Sequence, residues 1–499
     1  MLKLRARLLD IEPAIPLVIL SEEDARELGV RASDRVRIRI GKKEITSIFD
    51  TSKRMVKVGQ IGFVQELLEY GIKAGKIYEV RAAPRPKSVG YIKKKLGGNE
   101  LKKEEIDAII DDIYNNNLSD IELGAFISAV YTHGYSTDEA LAVTRRMILN
   151  GQCIKWPGRK TVVQEHTIGG VPGNRVTLIM VPILAATGLI VPKTSSRAIT
   201  SPAGTSDVVE VFAPVAFDVA GIKRIVKKAG ACMVWGGAVD LAPVDDKLIR
   251  AEYPLSLDPE GQVLASVMSK NAATGAKYLL MDIPFGLGTK VEKFEQARIF
   301  AKRFKILGEK LGMQVECALT RGDQPIGNGI GPVLEAIDCM EILKGRGPAD
   351  LRKKSVELAG ILLRMTRHGD ESTAEDILDS GRALKKFREI VIAQGGDPDV
   401  PLDRLLGKFS NTICAKNSGI VLKIKNEDIS KIARYAGAPK DKGAGIYLSV
   451  KVGQTVERGE KLFEIFAEKD NKLDEAVELL KKLEPITIGS PEELLVEEI

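Results

Sequence analysis

The chain has 499 residues, more than one hydrophobic core accommodates, so three or four domains are expected rather than a single small module. Apolar residues make up 44% and charged residues 28%, the balance of a globular chain that folds in water, which excludes a disordered or fibrous protein. Lys and Arg total 74 against 68 acids, and a net charge of +6 is too dilute for a nucleic-acid footprint while leaving phosphate-sized ligands open.

The N-terminal apolar run Ala14 to Leu20 is broken by Pro16 and followed by acids, unlike a secretory leader. Residues 1–84 mix strands, such as the alternating Arg35 to Ile40, with short helices, such as one over Glu22 to Leu28. They read as an N-terminal α+β or barrel-like domain with no chemical constellation, suited to subunit assembly. Pro84-Arg-Pro-Lys then forms a stiff polar connector. A helical domain is expected over 85–157, where Ser119 with Glu122 and Ser136 with Glu139 are spaced as capping boxes.

Residues 158–242 and 274–410 alternate short β-branched runs with helical segments, the pattern of an α/β domain with a mostly parallel sheet and an active site past its strand ends. The longest apolar stretch, Val176 to Pro192, contains Pro182 and Gly188 and predicts a buried helix followed by a strand, not a membrane span. Residues 411–499 return to strands, glycine turns and a final helix near 472–483, giving a C-terminal α+β domain with hammerhead-like character and a structural role. Cys153, Cys232, Cys317, Cys339 and Cys414 form no C-x-x-C pair, so neither a disulfide framework nor a thiolate zinc site is indicated, and a reducing cytoplasm fits.

Two segments carry candidate chemistry. Glu165-His-Thr-Ile-Gly-Gly-Val-Pro-Gly-Asn follows a strand and precedes a helix, aiming backbone N–H groups into its turn. Lys193-Thr-Ser-Ser-Arg-Ala-Ile-Thr-Ser-Pro-Ala-Gly-Thr-Ser-Asp packs seven hydroxyls and an arginine after the next strand, all good phosphate donors. Each alone is as consistent with an ordinary solvated loop. Gly327-Asn-Gly-Ile-Gly-Pro lacks the full dinucleotide spacing and reads as structural, and His133, His166 and His368 carry no metal-ligand pattern.

Together the segments resemble the thymidine and pyrimidine-nucleoside phosphorylase family, whose Ser-Gly-Arg-Gly and Thr-Gly-Gly-Thr-x-Asp-x-x-Glu appear here as Ser195-Ser-Arg-Ala and Pro202-Ala-Gly-Thr-Ser-Asp-Val-Val-Glu. The likeness runs from about Ser88 to Ala467 and includes Asp323-Gln-Pro-Ile-Gly and Val452-Gly-Gln-Thr-Val-Glu-Arg-Gly-Glu. It implies phosphorolysis, with a helical domain facing a mostly parallel α/β domain across a cleft. Residues 243–273 would return to the helical domain, carrying Asp258, Ser266 and Lys270. The departures are informative. Glu165 stands where the family has a phosphate lysine, Ala251 where it has a base-binding arginine, and Lys290 where it has an aromatic residue.

A new lysine suggests a new anion, and these changes match the archaeal, AMP-cleaving branch of the family. The resemblance thus implies a homodimer or larger homo-oligomer acting on AMP and inorganic phosphate, with CMP and UMP as further substrates. It implies no metal, organic cofactor, nucleic-acid or membrane partner. Asp258 would be the proton donor. Substrate binding would fall to Gly170, Ser196, Arg197, Ala198, Ile199, Thr200, Ser201, Thr205, Ser266 and Lys290. Rival readings are a nucleoside phosphorylase acting on uridine or thymidine, and a non-catalytic nucleotide sensor.

Overall fold

The structure, a computed structural model, describes residues 1–490 apart from 14, 159–160, 199–200, 253 and 255–256. It divides into two compact units, Met1–Gly151 with Ala242–Ser269, and Gln152–Leu241 with Lys270–Ile499.

The first unit begins with a closed barrel of β1 (Leu2–Leu8), β2 (Leu17–Leu20), β3 (Arg35–Ile40), β4 (Lys43–Thr51), β5 (Gln60–Phe63) and β6 (Ile77–Ala83), in the order β1-β5-β2-β4-β3-β6. Helix α1 (Glu22–Leu28) lies between β2 and β3, capped by the Ser21 hydroxyl. Alternation in β3 turns Val36 and Ile38 into a core with Phe49, Ile61 and Phe63. Arg35, on the same strand, is also buried, because its guanidinium binds the Asn117 carbonyl and the Glu122 carboxylate of the helical region.

That region comprises α2 (Ser88–Leu96), α3 (Lys103–Tyr114), α4 (Asp120–His133) and α5 (Thr137–Asn150). Both anticipated capping boxes are present: the Glu122 and Glu139 carboxylates each accept the N–H of their cap serine at 2.8 Å. Glu139 is buried, and also holds Lys95 at 2.7 Å and the Leu101 amide at 2.9 Å.

The second unit starts with β7 (Val163–Thr167), α6 (Val176–Ala186), β8 (Val191–Ser195), α7 (Thr205–Val209), α8 (Val219–Ala229) and β9 (Ala231–Trp235). The chain then passes through α9 (Pro243–Glu252) and α10 (Glu260–Ala273), whose residues up to Ser269 belong to the first unit, where α9 packs on α3, α4 and α5. It re-enters the second unit with β10 (Tyr278–Phe285), α11 (Phe294–Lys310), β11 (Gln314–Arg321), β12 (Gly329–Ile330), α12 (Pro332–Leu343), α13 (Ala349–Thr366), α14 (Glu371–Asp379) and α15 (Arg382–Ala393).

Strands β7, β10 and β11 pair in parallel in the order β11-β10-β7, and β8 pairs in parallel with β9. A parallel bridge between Val162 and Ile190 links the two groups. Helix α6 is apolar all round because it is buried all round, packed against α13 and α15, and Pro182 lies inside it. Among the described residues, no helix is long and apolar enough to cross a membrane.

The C-terminal part contains β13 (Phe409–Cys414), β14 (Gly419–Ile424), α16 (Asn426–Tyr435), β15 (Gly445–Leu448), β16 (Thr455–Val456), β17 (Lys461–Ala467), α17 (Asp470–Leu480) and β18 (Ile486–Gly489). Its sheet β12-β15-β17-β13 takes β12 from the preceding segment. The loop before β12 is tied down by side chains. Asp338 accepts the Asn328 and Gly329 amides at 2.6 and 2.7 Å, Asp350 accepts the Gly327 amide, and Lys451 pairs with Asp350 at 2.8 Å. The Gly327 to Pro332 run, expected as a structural loop, is thus held by its own chain, with Gly329–Ile330 forming β12 and Pro332 opening α12.

Candidate active site

The first glycine turn, Ile168 to Asn174, leaves the end of β7 beside β10. Its two ends are pinned by one buried carboxylate. Asp282, on β10, accepts from Thr167 Oγ1 at 3.1 Å and Asn174 Nδ2 at 3.2 Å, while its other oxygen accepts from Thr320 Oγ1 at 2.6 Å. Lys354 from α13 neutralises it at 2.8 Å. Such a group is stable inside a protein only when its lone pairs and its charge are matched, as here.

Within the turn, Gly170 has φ +96°, and a Cβ there would lie 3.0 Å from the Lys290 amide nitrogen and 3.2 Å from Thr289 Cα. The close approach expected at Gly170 is therefore to the 289–290 backbone, and it brings two of the anticipated binding residues together. The Lys290 residue itself is exposed.

Glu165, standing where the family resemblance places a phosphate lysine, is compensated internally. Its carboxylate accepts from Thr177 Oγ1 at 2.5 Å and pairs with Lys193 at 3.1 Å, and Lys193 also donates to the Glu165 carbonyl. Next to it, His166 Nδ1 lies 3.4 Å from Asn271 Nδ2. Burial first, and then the cations Lys193, Lys270 and Lys290, hold the His166 imidazole well below its ordinary pKa, so the ring is neutral at pH 7. Of these three lysines Lys193 is matched by Glu165, which leaves Lys270 and Lys290 as the cations that make the surroundings of the first turn favourable to an anion.

The second loop leaves β8 at Ser195 and ends in α7. Asp207 closes it, accepting the Ala198 amide at 2.8 Å and the Gly204 amide at 2.9 Å on one oxygen and Arg197 Nη1 at 3.2 Å on the other. Gly204 is required by proximity, since a Cβ there would lie 2.5 Å from the Ala198 nitrogen. Arg197, expected to offer its guanidinium to a phosphate, spends it on the protein. It pairs with Glu210 at 2.6 Å as well as Asp207, and stacks 5.1 Å from the Trp235 ring centroid. Glu210 is held down at about 2, chiefly by Arg197 and then by Lys442. Arg197 therefore shapes the loop.

Ser196 and Ser201 are exposed, with Ser201 Oγ donating to the Ala203 carbonyl at 3.0 Å, and Thr205 opens α7. Ile199 and Thr200 lie outside the described residues.

The two remaining candidates belong to the first unit. Ser266, on α10, donates to Asp245 of α9 at 2.9 Å, which commits its proton and leaves its oxygen as an acceptor. Asp258 immediately precedes Pro259 and the start of α10, and it is exposed rather than enclosed in the dry pocket expected for a carboxyl that keeps its proton.

Sequence reasoning assigned no role to Asp207, Glu210, Asp282 or Lys193. The first two stood in view as the acids of the quoted signature, and Asp282 as one charge inside an otherwise apolar strand.

Three family models match in chain order: "Glycosyl transferase family, helical bundle domain" over residues 89–151, "Glycosyl transferase family, a/b domain" over 159–384, and "Pyrimidine nucleoside phosphorylase C-terminal domain" over 420–487. Among curated proteins, the AMP phosphorylase of Natronomonas pharaonis is 46% identical over 98% of both chains. That of Thermococcus kodakarensis is 47% identical, also over 98% of each. Among solved structures, the anthranilate phosphoribosyltransferase of Saccharomyces cerevisiae, in complex with PRPP and Mg, is similar with a TM-score of 0.51 and 13% identity, covering 62% of this chain and 98% of that one. At that identity the likeness concerns the fold alone. With near-full-length identity to such relatives, and with both signature turns in place, the chain belongs to the AMP phosphorylase family, within the wider group of pyrimidine-nucleoside phosphorylases.

Proposed function

We propose that the chain catalyses the phosphorolysis of AMP, with inorganic phosphate displacing adenine to give ribose 1,5-bisphosphate, and that CMP and UMP are handled likewise. The observation that carries this reading is the 44–47% identity to AMP phosphorylases over nearly the whole chain. In the reaction the bond from the anomeric carbon to the base nitrogen breaks, a carbon–oxygen bond to phosphate forms, and the departing base takes a proton.

What supports a site for the attacking anion is a pair of hydroxyl- and glycine-rich turns on a backbone fixed by Asp207 and Asp282, with Lys270 and Lys290 acting on His166 beside the first. The reading gives the 5′-phosphate of AMP to Lys290 together with the hydroxyls of Ser196, Thr200 and Ser201. It gives proton donation to Asp258 and a base or ribose contact to Ser266. Asp258 is exposed, so this role calls for bound substrate to exclude water from it. The barrel would serve the assembly of a homo-oligomer.

The test is direct. AMP is incubated with and without inorganic phosphate, and adenine is followed. Phosphate-dependent release from AMP, and far slower release from adenosine, is the expected result. Release independent of phosphate, or equal turnover of adenosine, would sink the reading.

A further inference from the structure

We infer that Arg175 is a positioning residue that joins the two phosphate turns into one rigid binding element, a role that rests on the phosphorolysis reading above. Arg175 follows the first turn and immediately precedes α6, with only 11% of its side chain exposed. Its donors reach three separate segments. Nη1 donates to the Asn174 carbonyl at 2.9 Å, at the end of the first turn. Nη2 donates to the Ala203 carbonyl in the second loop, one residue before the glycine that Asp207 caps. Nε lies 2.5 Å from the carboxylate of Glu335 on α12.

Glu335 is itself fixed. Only 1% of its side chain is exposed, and its second oxygen accepts the Gly331 amide at 3.1 Å. The Arg175 carbonyl in turn accepts from Cys339 Sγ at 3.6 Å, one turn further along α12.

The chemistry follows from the shape of the guanidinium. Its fork is planar and its donor directions are rigid, so two hydrogen bonds to the turns together with the ion pair to Glu335 fix the relative positions of the three segments. Its Nη donors are spent on the Asn174 and Ala203 carbonyls and its Nε faces Glu335, so Arg175 acts on the site through the backbone of both turns. Because Asn174 is also held from the other side by Asp282, the first turn is clamped at its end, and Arg175 carries that constraint across to the second loop. A misplacement of about 1 Å between groups that share a ligand can cost ~100-fold. A lysine keeps the charge opposite Glu335 but cannot span three acceptors.

Steady-state kinetics of the full-length wild type, R175K and R175M test this. In R175K the KM for phosphate should rise ~10-fold or more, with Tm close to wild type, and R175M should show the same rise in its folded fraction. A lowered kcat with unchanged phosphate KM in both variants would be the mark of a merely structural residue and would overturn the inference.

Should the wild type fail to release adenine, the parent reading falls, and the inference is then judged by binding. Phosphate should raise the Tm of the wild type and not that of R175K. An equal rise in both proteins, or none in the wild type, overturns it.

Discussion

The proposed phosphate side depends on its backbone more than the proposed base side does. In the second unit the proposed contacts, Lys290 and the hydroxyls of Ser196, Ser201 and Thr205 among them, sit on or beside two turns whose backbone is held by buried acids: Asp282 and Asp207 cap amides and hydroxyls, and Lys354 and Arg197 neutralise them. In the first unit the anticipated residues act as side chains, Ser266 from α10 and Asp258 from the residues before it, with Ser266 oriented by Asp245 and Asp258 exposed. A backbone site resists single substitutions of its contacts, because no side chain supplies the donor, and fails when its clamps are removed. A side-chain site fails at the contact itself. Substitutions on the two sides should therefore differ in kind as well as in size.

The largest effect is expected at Asp258. Asp258→Asn keeps the shape and removes the proton, so kcat should fall ~100-fold or more, with the KM for AMP little changed. Single-turnover rates with saturating AMP and phosphate would show it. Retention of most of kcat would remove the acid role and, with it, the asymmetry between the two regions. Next is Lys290→Met, which deletes the charged contact proposed for the nucleotide's tail. The KM for AMP should rise ~10- to 100-fold while the slow reaction with adenosine is unaffected. Equal losses on AMP and adenosine would place Lys290 at the attacking phosphate instead.

A clamp should behave differently from either. Asp207→Asn leaves Arg197 short of a charge and the Ala198 and Gly204 amides with a poorer acceptor. Its signature is a phosphate KM raised ~5- to 10-fold together with a loss of ~1–3 kcal/mol in unfolding free energy by urea titration. Loss of affinity without loss of stability would mark Asp207 as a ligand rather than a brace.

Legibility in the sequence divides along the same line. Elements came through where a local period decides them. Strand Arg35 to Ile40 and helix Glu22 to Leu28 have the predicted bounds, and Val176 to Pro192 does resolve into a buried helix and a strand. The strand after Gly188 runs from Val191, preceded by Ile190, which bridges to Val162. The turns themselves were visible as clusters of glycines and hydroxyls. What holds them was not. Arg175 with Glu335, and Asp282 with Lys354, pair buried charges from distant segments, and such pairing leaves no periodic trace. Arg197 shows the same limit: a guanidinium in a hydroxyl-rich loop reads as a ligand in sequence, and its pairing with Glu210 and Asp207 is visible only in the structure.

The smallest effect concerns that ion pair and can be isolated by pH. Glu210 is held at about 2, against an ordinary 4.5, chiefly by its hydrogen bonds to Arg197 and secondarily by Lys442. A carboxyl whose pKa is lowered by folding stabilises the fold above its unfolded value and loses that contribution as pH falls toward the folded one. Burial pushes Glu335 and Asp338 the other way, up to about 7 and about 6, so the Tm of the wild type alone would mix opposing trends. The difference between wild type and Glu210→Gln removes them, since both proteins carry those acids. That difference should be ~0.5–1 kcal/mol at pH 7, small because the Glu210 pair is partly solvated, and should close between pH 4.5 and 2. A difference that stays constant through that interval would mean that Glu210 braces the loop by shape and hydrogen bonding, with its charge contributing nothing.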